Sequence, residues 1–256
     1  MLILLNSTKT MDLTVPVPGR LKTTEPAFLA VARDLAGPLA KISLARLDTL
    51  MDVKGKLADR TRADLALWGK EGRESRPALL AFTGLVYKYL DAPSLKAAEW
   101  NRARKCLRIL SGLYGLLGPL DEVEAYRLEM GSKVKPKGAK NLTVFWRDRL
   151  TAALNAELKA AEPVVSVASQ EYVKALDIKN LKGPLISPVF KEERPDGSLR
   201  TAPVHAKMAR GALVRYALKT GARTPEDFLG FGEMGWEAAS EPPASGPWLF
   251  VRAHRG

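Results

Sequence analysis

The chain has 256 residues, 46% of them hydrophobic, enough to fill the core of one large domain or two small ones. Forty Lys and Arg stand against 28 Asp and Glu, and the resulting charge of +12 points to a polyanionic partner, nucleic acid ahead of an anionic membrane surface. A single cysteine, Cys106, excludes an internal disulfide and a zinc site built on cysteine pairs, and the two histidines, His205 and His254, are too far apart in sequence to suggest a histidine-rich metal centre, so no metal and no cofactor is expected and a reducing cytoplasm is the natural home.

Residues 2–5 read as a short buried strand leading into the polar loop Asn6-Ser-Thr-Lys-Thr10. The opening apolar run is too short for a signal-peptide core, and no run approaches transmembrane length, so no membrane partner is expected. Across residues 25–67 apolar positions recur at helical spacing, with Gly37-Pro38 dividing two helices. Ser94 is placed to cap a helix running towards Leu110, with Leu95, Ala98, Cys106, Leu107 and Leu110 inward and Arg102, Arg104, Lys105 and Arg108 outward. On that face Cys106 reads as packing rather than as a reactive thiol.

Gly112 and Gly115 follow at once, and a tight glycine turn can expose backbone N–H groups to an anion. Residues 131–140 read as an exposed lysine-rich loop, 143–161 as a second long helix, and 164–168 as a strand. Residues 185–191 and 198–204 flank the turn Arg194-Pro-Asp-Gly197 and predict a β-hairpin, 205–219 a basic helix, and the tail around Trp248-Leu-Phe-Val251 a final strand pair. There is no clean βαβ period, no G-x-G-x-x-G and no P-loop motif, so neither a Rossmann nor a P-loop fold is supported and one mixed α/β domain over residues 1–256 is expected.

Bases are bunched. Between Asp196 and Glu226 there are six and no acid, with Lys207 and Arg210 on one helical face. If this segment, the 102–108 helix and the 131–140 loop converge, they make a phosphate-tracking surface whose affinity falls with salt. A second group sits at predicted strand ends, where α/β proteins hold ligands: Lys9 and Asp12 after the first strand, and Ser169, Glu171 and Tyr172 after residues 164–168. Arg127 and Glu129 interrupt an apolar stretch, where they read as an ion pair or as part of a site. Glu171 or Glu129 as acid–base and Lys9 as amine nucleophile are equipment for base or nucleoside hydrolysis.

Leu110-Ser-Gly-Leu-Tyr-Gly-Leu-Leu-Gly-Pro-Leu-Asp121, with Tyr126-Arg-Leu-Glu-Met-Gly131, resembles the central signature of the YaaA family of peroxide-stress resistance proteins. Asn6-Ser-Thr-Lys-Thr-Met-Asp12, Ala81-Phe-Thr-Gly-Leu-Val-Tyr87, Ala168-Ser-Gln-Glu-Tyr172, Pro188-Val-Phe-Lys191, Ala206-Lys-Met-Ala-Arg-Gly211 and Leu229-Gly-Phe231 follow in the family's order, so the resemblance covers the chain. Thr83 and Gly118 stand where family members often carry a basic residue, Asn6-Ser-Thr replaces Ser-Pro-Ala, and Glu124-Ala125 replaces Gln-Pro. The resemblance implies a mixed sheet with surrounding helices, a helix-hairpin-helix element and a basic cleft. It also implies binding to duplex, bubble or junction DNA, and protection against peroxide and iron-mediated damage. The cleft residues it implies are Lys9, Arg127, Ser169, Glu171, Tyr172, Lys191, Lys207 and Arg210. Arg102, Lys105, Gly112 and Gly115 join them as DNA contacts on the basic-helix-and-hairpin reading. The alternative is an enzyme acting on a nucleobase or nucleoside in the same cleft, with Lys9, Glu171 and Tyr172 as its candidate catalytic groups. No obligate protein partner is implied.

Overall fold

Leu2–Asn6 forms β1, and the burial of its first four residues shows a strand covered on both faces. The computed structural model describes residues 1–19 and 21–253, and His254 lies outside them. Three helices follow, α1 (Leu29–Leu39), α2 (Leu44–Met51) and α3 (Lys56–Leu67). α1 runs through Gly37-Pro38 and stops one residue later at Leu39, so residues 40–43 divide α1 from α2, and a second break follows at residues 52–55, where Asp52 and Gly55 have positive φ. β2 (Ser75–Pro77), α4 (Ala78–Ala81) and α5 (Leu85–Leu90) lead to α6 (Ala97–Cys106). Ser94 does not cap α6; Glu99 reaches back to the Lys96 N–H at 2.8 Å, while the Ser94 hydroxyl bonds Asp91 O.

α6 ends at Cys106, and the apolar run after it becomes β3 (Leu107–Ser111), joined by a short turn to β4 (Gly115–Leu117). This corrects the expected helix at Leu107 and Leu110: four residues of apolar sequence fit either period, and pairing of Ile3 to Asn6 with Leu107 to Leu110 decides for the strand. The glycine hairpin therefore joins two strands, not two helices. β5 (Glu122–Glu124) pairs with β2, and α7 (Leu142–Glu157), β6 (Val164–Ser166), α8 (Gln170–Val173) and β7 (Leu185–Glu193) follow. The Arg194 turn returns the chain as β8 (Leu199–Arg200), after which come α9 (Pro203–Thr220), β9 (Glu237–Ala238) and β10 (Gly246–Ala253).

Among the described residues eight strands form one mixed sheet with the path β4-β3-β1-β6-β7-β10-β9, and β8 pairs with β7. The five central strands β3, β1, β6, β7 and β10 are parallel, and the edge pairs are antiparallel. Along the sheet the parallel strands come second, first, third, fourth and fifth in chain order. The order reverses at β1, between the two strands that flank it. That is the switch point of a doubly wound sheet, where the loops leaving the carboxyl ends diverge and open a crevice. One continuous hydrophobic cluster spans both sides, with Trp146, Trp236 and Trp248 fully buried, so the chain is a single α/β domain.

Candidate functional site

The carboxyl ends of β1 and β6 meet at the switch point, tied by Asn6, whose side-chain oxygen accepts the Ser169 N–H at 2.8 Å. Ser7 is buried and shares a hydrogen bond of 3.1 Å with the Tyr172 hydroxyl, and the Tyr87 hydroxyl donates to Asn6 O at 3.0 Å. On the far side of β1 the Ser111 hydroxyl meets that of Tyr126 at 2.6 Å. Burial raises all three phenols, Tyr126 to about 12 and Tyr87 and Tyr172 well above the ordinary phenol value, so this layer is neutral and serves as the crevice floor.

Charged groups lie above the floor. Lys9 is exposed and pairs with Glu129 at 3.1 Å, so Glu129 does form an ion pair, but with Lys9. Arg127 donates to Lys9 O at 3.3 Å, and its Nε is buried with no hydrogen-bond partner. Glu171 accepts the Gly131 N–H at 2.6 Å, which holds the end of the signature segment against α8. Gly211 of α9 sits against Val86 of α5, and Arg215 caps the α5 end by donating to Leu90 O at 2.9 Å and Asp91 O at 3.1 Å. The two helices thus run in the same direction. The amino-terminal half of α9, with exposed Lys207 and half-buried Arg210, comes to the end of α5 where Gly84 touches Thr8. Arg210 also has a buried Nε with no partner.

Other expected contacts lie elsewhere. Arg102 donates to Leu218 O and, at 3.0 Å, to Lys219 O, so it closes the carboxyl end of α9 about 18 Å along the helix from Lys207. Lys105 shares that helix, ahead of the amino end of β3 and so at the opposite sheet edge from the crevice. Lys191 alternates with Glu192, which faces α9 through His205 at 2.7 Å and also pairs with Arg252 of β10 at 2.6 Å, and Lys191 therefore points from the other face of β7. Gly112 and Gly115 are buried: a Cβ on Gly112 would lie 2.3 Å from Leu128 O, and one on Gly115 2.4 Å from the Trp146 ring. Both glycines are thus required by close packing inside the body rather than by an exposed turn.

Two helices that do meet at a hairpin are α2 and α3, and sequence reasoning missed them as a site. Val53 is buried and anchors the turn, while Lys54, Gly55 and Lys56 are exposed. α3 has no side-chain cap: the Leu57 N–H donates to Lys54 O at 3.3 Å and the Ala58 and Asp59 N–H groups to Gly55 O at 2.8 and 3.2 Å, so what its start offers an anion is the positive end of the helix dipole beside exposed Lys54 and Lys56. The signal was present in Asp52-Val-Lys-Gly55 between two amphipathic stretches. Leu57, Arg60 and Thr61 of α3 line a cavity of about 170 Å³ with Lys9, Tyr126 and Arg127, so the hairpin and the crevice are continuous.

A family described as peroxide stress protein YaaA matches residues 1–241. The chain belongs to the YaaA family. UPF0246 proteins of Flavobacterium johnsoniae and Ralstonia nicotianae are 41% and 40% identical to it, each over 98% of this chain and over 100% and 99% of their own lengths. A UPF0246 protein of Paraburkholderia phytofirmans is 37% identical over 98% of both chains. In this YaaA member the signature from Leu110 to Asp121 is a buried strand-turn-strand. Ser111 Oγ accepts the N–H groups of Leu113 and Tyr114, at 3.2 and 3.0 Å, to make the turn. Thr83, at a position where a base was expected of the family, bonds the Thr10 hydroxyl at 2.7 Å and ties the Lys9 loop to the segment before α5. Among the described residues no group of three or more His, Cys, Asp or Glu side chains could hold a metal ion, and no helix is long and apolar enough to cross a membrane.

Proposed function

We propose that this YaaA protein binds DNA in the cytoplasm without strong sequence preference. The sugar-phosphate backbone lies across the switch-point crevice and the turn between α2 and α3. The observation that carries the reading is the shared cavity, which brings Lys9 and Arg127 from the sheet edge together with Arg60 from the hairpin's second helix in a chain of charge +12. Lys54 and Lys56 at the start of α3 extend the basic surface, and the half-buried guanidinium groups of Arg127 and Arg210 add positive charge to it. Binding duplex, bubble or junction DNA in this way shields it from peroxide and iron-mediated damage.

Binding is favoured over base or nucleoside hydrolysis by the dimensions of the crevice. Its cavity is below the 300–1,000 Å³ usual for small-molecule sites, Tyr172 is buried against Ser7, and Glu171 is engaged by Gly131. The test is a mobility shift with duplex, bubble and junction DNA on three double variants. Lys9→Ala with Arg127→Ala, and Lys54→Ala with Lys56→Ala, should each weaken binding to all three by similar factors. Arg102→Ala with Lys105→Ala should not. Loss of binding in the third variant alone would overturn the assignment.

A further inference from the structure

A second and larger depression, about 990 Å³, is bounded by α1, α2, the loop 133–137 and α7. Its floor is aliphatic apart from one ring: Leu35, Leu39, Ile42, Leu50, Val134 and Phe145. Its rim carries five bases, Arg46, Lys133, Lys135, Lys137 and Arg149, against one acid, Asp34, and none of the five makes an ion pair among the described residues. The loop is built rather than slack. Val134 and Pro136 are buried and Lys133, Lys135 and Lys137 exposed, an alternation that aligns the three lysines on one side, and the Lys133 N–H donates to Leu50 O at 2.8 Å.

We propose that this groove docks an acidic amphipathic helix of a partner protein. The charge on the rim is complementary to acidic side chains, and the aliphatic floor between helices suits apolar anchors at i, i+3, i+4 and i+7. A single-stranded nucleic acid fits it less well, because strand binders stack bases on open aromatic faces. The ring of Phe145 is already covered by the Arg149 guanidinium, 4.4 Å from its centroid, and its other close aromatic neighbour is Trp146, edge-on at 5.1 Å. A second copy of the chain is disfavoured because each copy carries +12. The inference does not rest on the DNA reading, since none of these residues lines the cavity beside Lys9.

The test uses the full chain and a fluorescein-labelled helical peptide of about four turns. The peptide has Leu at i, i+3, i+4 and i+7 and Glu elsewhere, and a scrambled isomer is the control. The peptide should bind at least about tenfold more tightly than its isomer. Reversing the exposed lysines (Lys133→Glu, Lys135→Glu and Lys137→Glu together) should weaken it by about tenfold or more while thermal unfolding changes little and duplex affinity falls by a smaller factor, through the lower net charge alone. Ile42→Ser should weaken the peptide with a smaller loss of salt dependence. Equal binding of peptide and isomer, or indifference to the triple reversal, overturns the proposal. So does a triple reversal that costs oligothymidine as much affinity as it costs the peptide, which gives the groove to nucleic acid, or displacement of the peptide by palmitate, which gives it to acyl chains.

Discussion

Gly115 holds a φ of +70° with the Trp146 ring where a side chain would begin. Gly115→Ala should therefore destabilise the protein by about 2–4 kcal/mol, overpacking and left-handed strain together, seen as a lower urea midpoint. A variant as stable as the wild type would contradict the steric account. Cys106 is half-buried, and burial pushes its thiol up to about 11, which leaves almost no thiolate at neutral pH. A thiol reagent should modify the native protein far more slowly than the denatured chain, and equal rates would make this thiol a reactive one. Glu171 acts through its hydrogen bond to Gly131. Glu171→Gln keeps an acceptor oxygen and removes a negative charge near the crevice, so DNA affinity should be equal or slightly higher. Release of free base from damaged duplexes by the wild type, abolished in the variant, would instead establish catalysis.

Among elements, those legible in the sequence were the ones whose burial is nearly complete or strongly periodic. β1 and β6 appear as short aliphatic runs, α7 as a long helix, α9 as a basic one, and the β7–β8 hairpin through Arg194-Pro-Asp-Gly197. The signature hairpin was not legible as strands, because Leu107 to Leu110 suits a helix face as well as a strand and only its partner β1, a hundred residues earlier, decides. The three basic segments were legible as charge but not as positions: α6 packs on β1, β3 and α9 with its basic carboxyl end at the amino end of β3, the 133–137 loop lies on its own groove, and α9 reaches the crevice. The ends of β1 and β6 did come together, Asn6 meeting Ser169 and Ser7 meeting Tyr172, since the ends of adjacent parallel strands have to meet, while Lys9 three residues past β1 pairs with Glu129. Arg102 binds the last carbonyls of α9, so Arg102→Ala should cost about 1 kcal/mol of stability without changing DNA affinity, and a weakened DNA complex with unchanged stability would place α6 in the interface.

At the scale of the molecule, the doubly wound order was hidden because six helices and a strand separate β1 from β3, while the link from β6 to β7 holds one four-residue α-helix. Four buried tyrosines, Tyr87, Tyr114, Tyr126 and Tyr172, and half-buried Cys106 have raised ionisation in this body. In alkali the unfolded chain loses these protons first, so the stability they contribute is complete below the ordinary thiol value of 9.0 and falls as pH rises through about 11 and then about 12. Urea midpoints should decline steadily above about pH 9, and a flat profile would contradict the buried, neutral floor. The central claim, a phosphate-binding surface made jointly by the crevice and the α2–α3 turn, is tested most directly by duplex affinity measured against salt. If about five or six phosphates are neutralised, log affinity should fall with log salt at a slope of roughly −5, and Lys54→Ala with Lys56→Ala should make the slope shallower by about 2. A flat salt response, no binding at low salt, or an unaltered slope in that variant would contradict it.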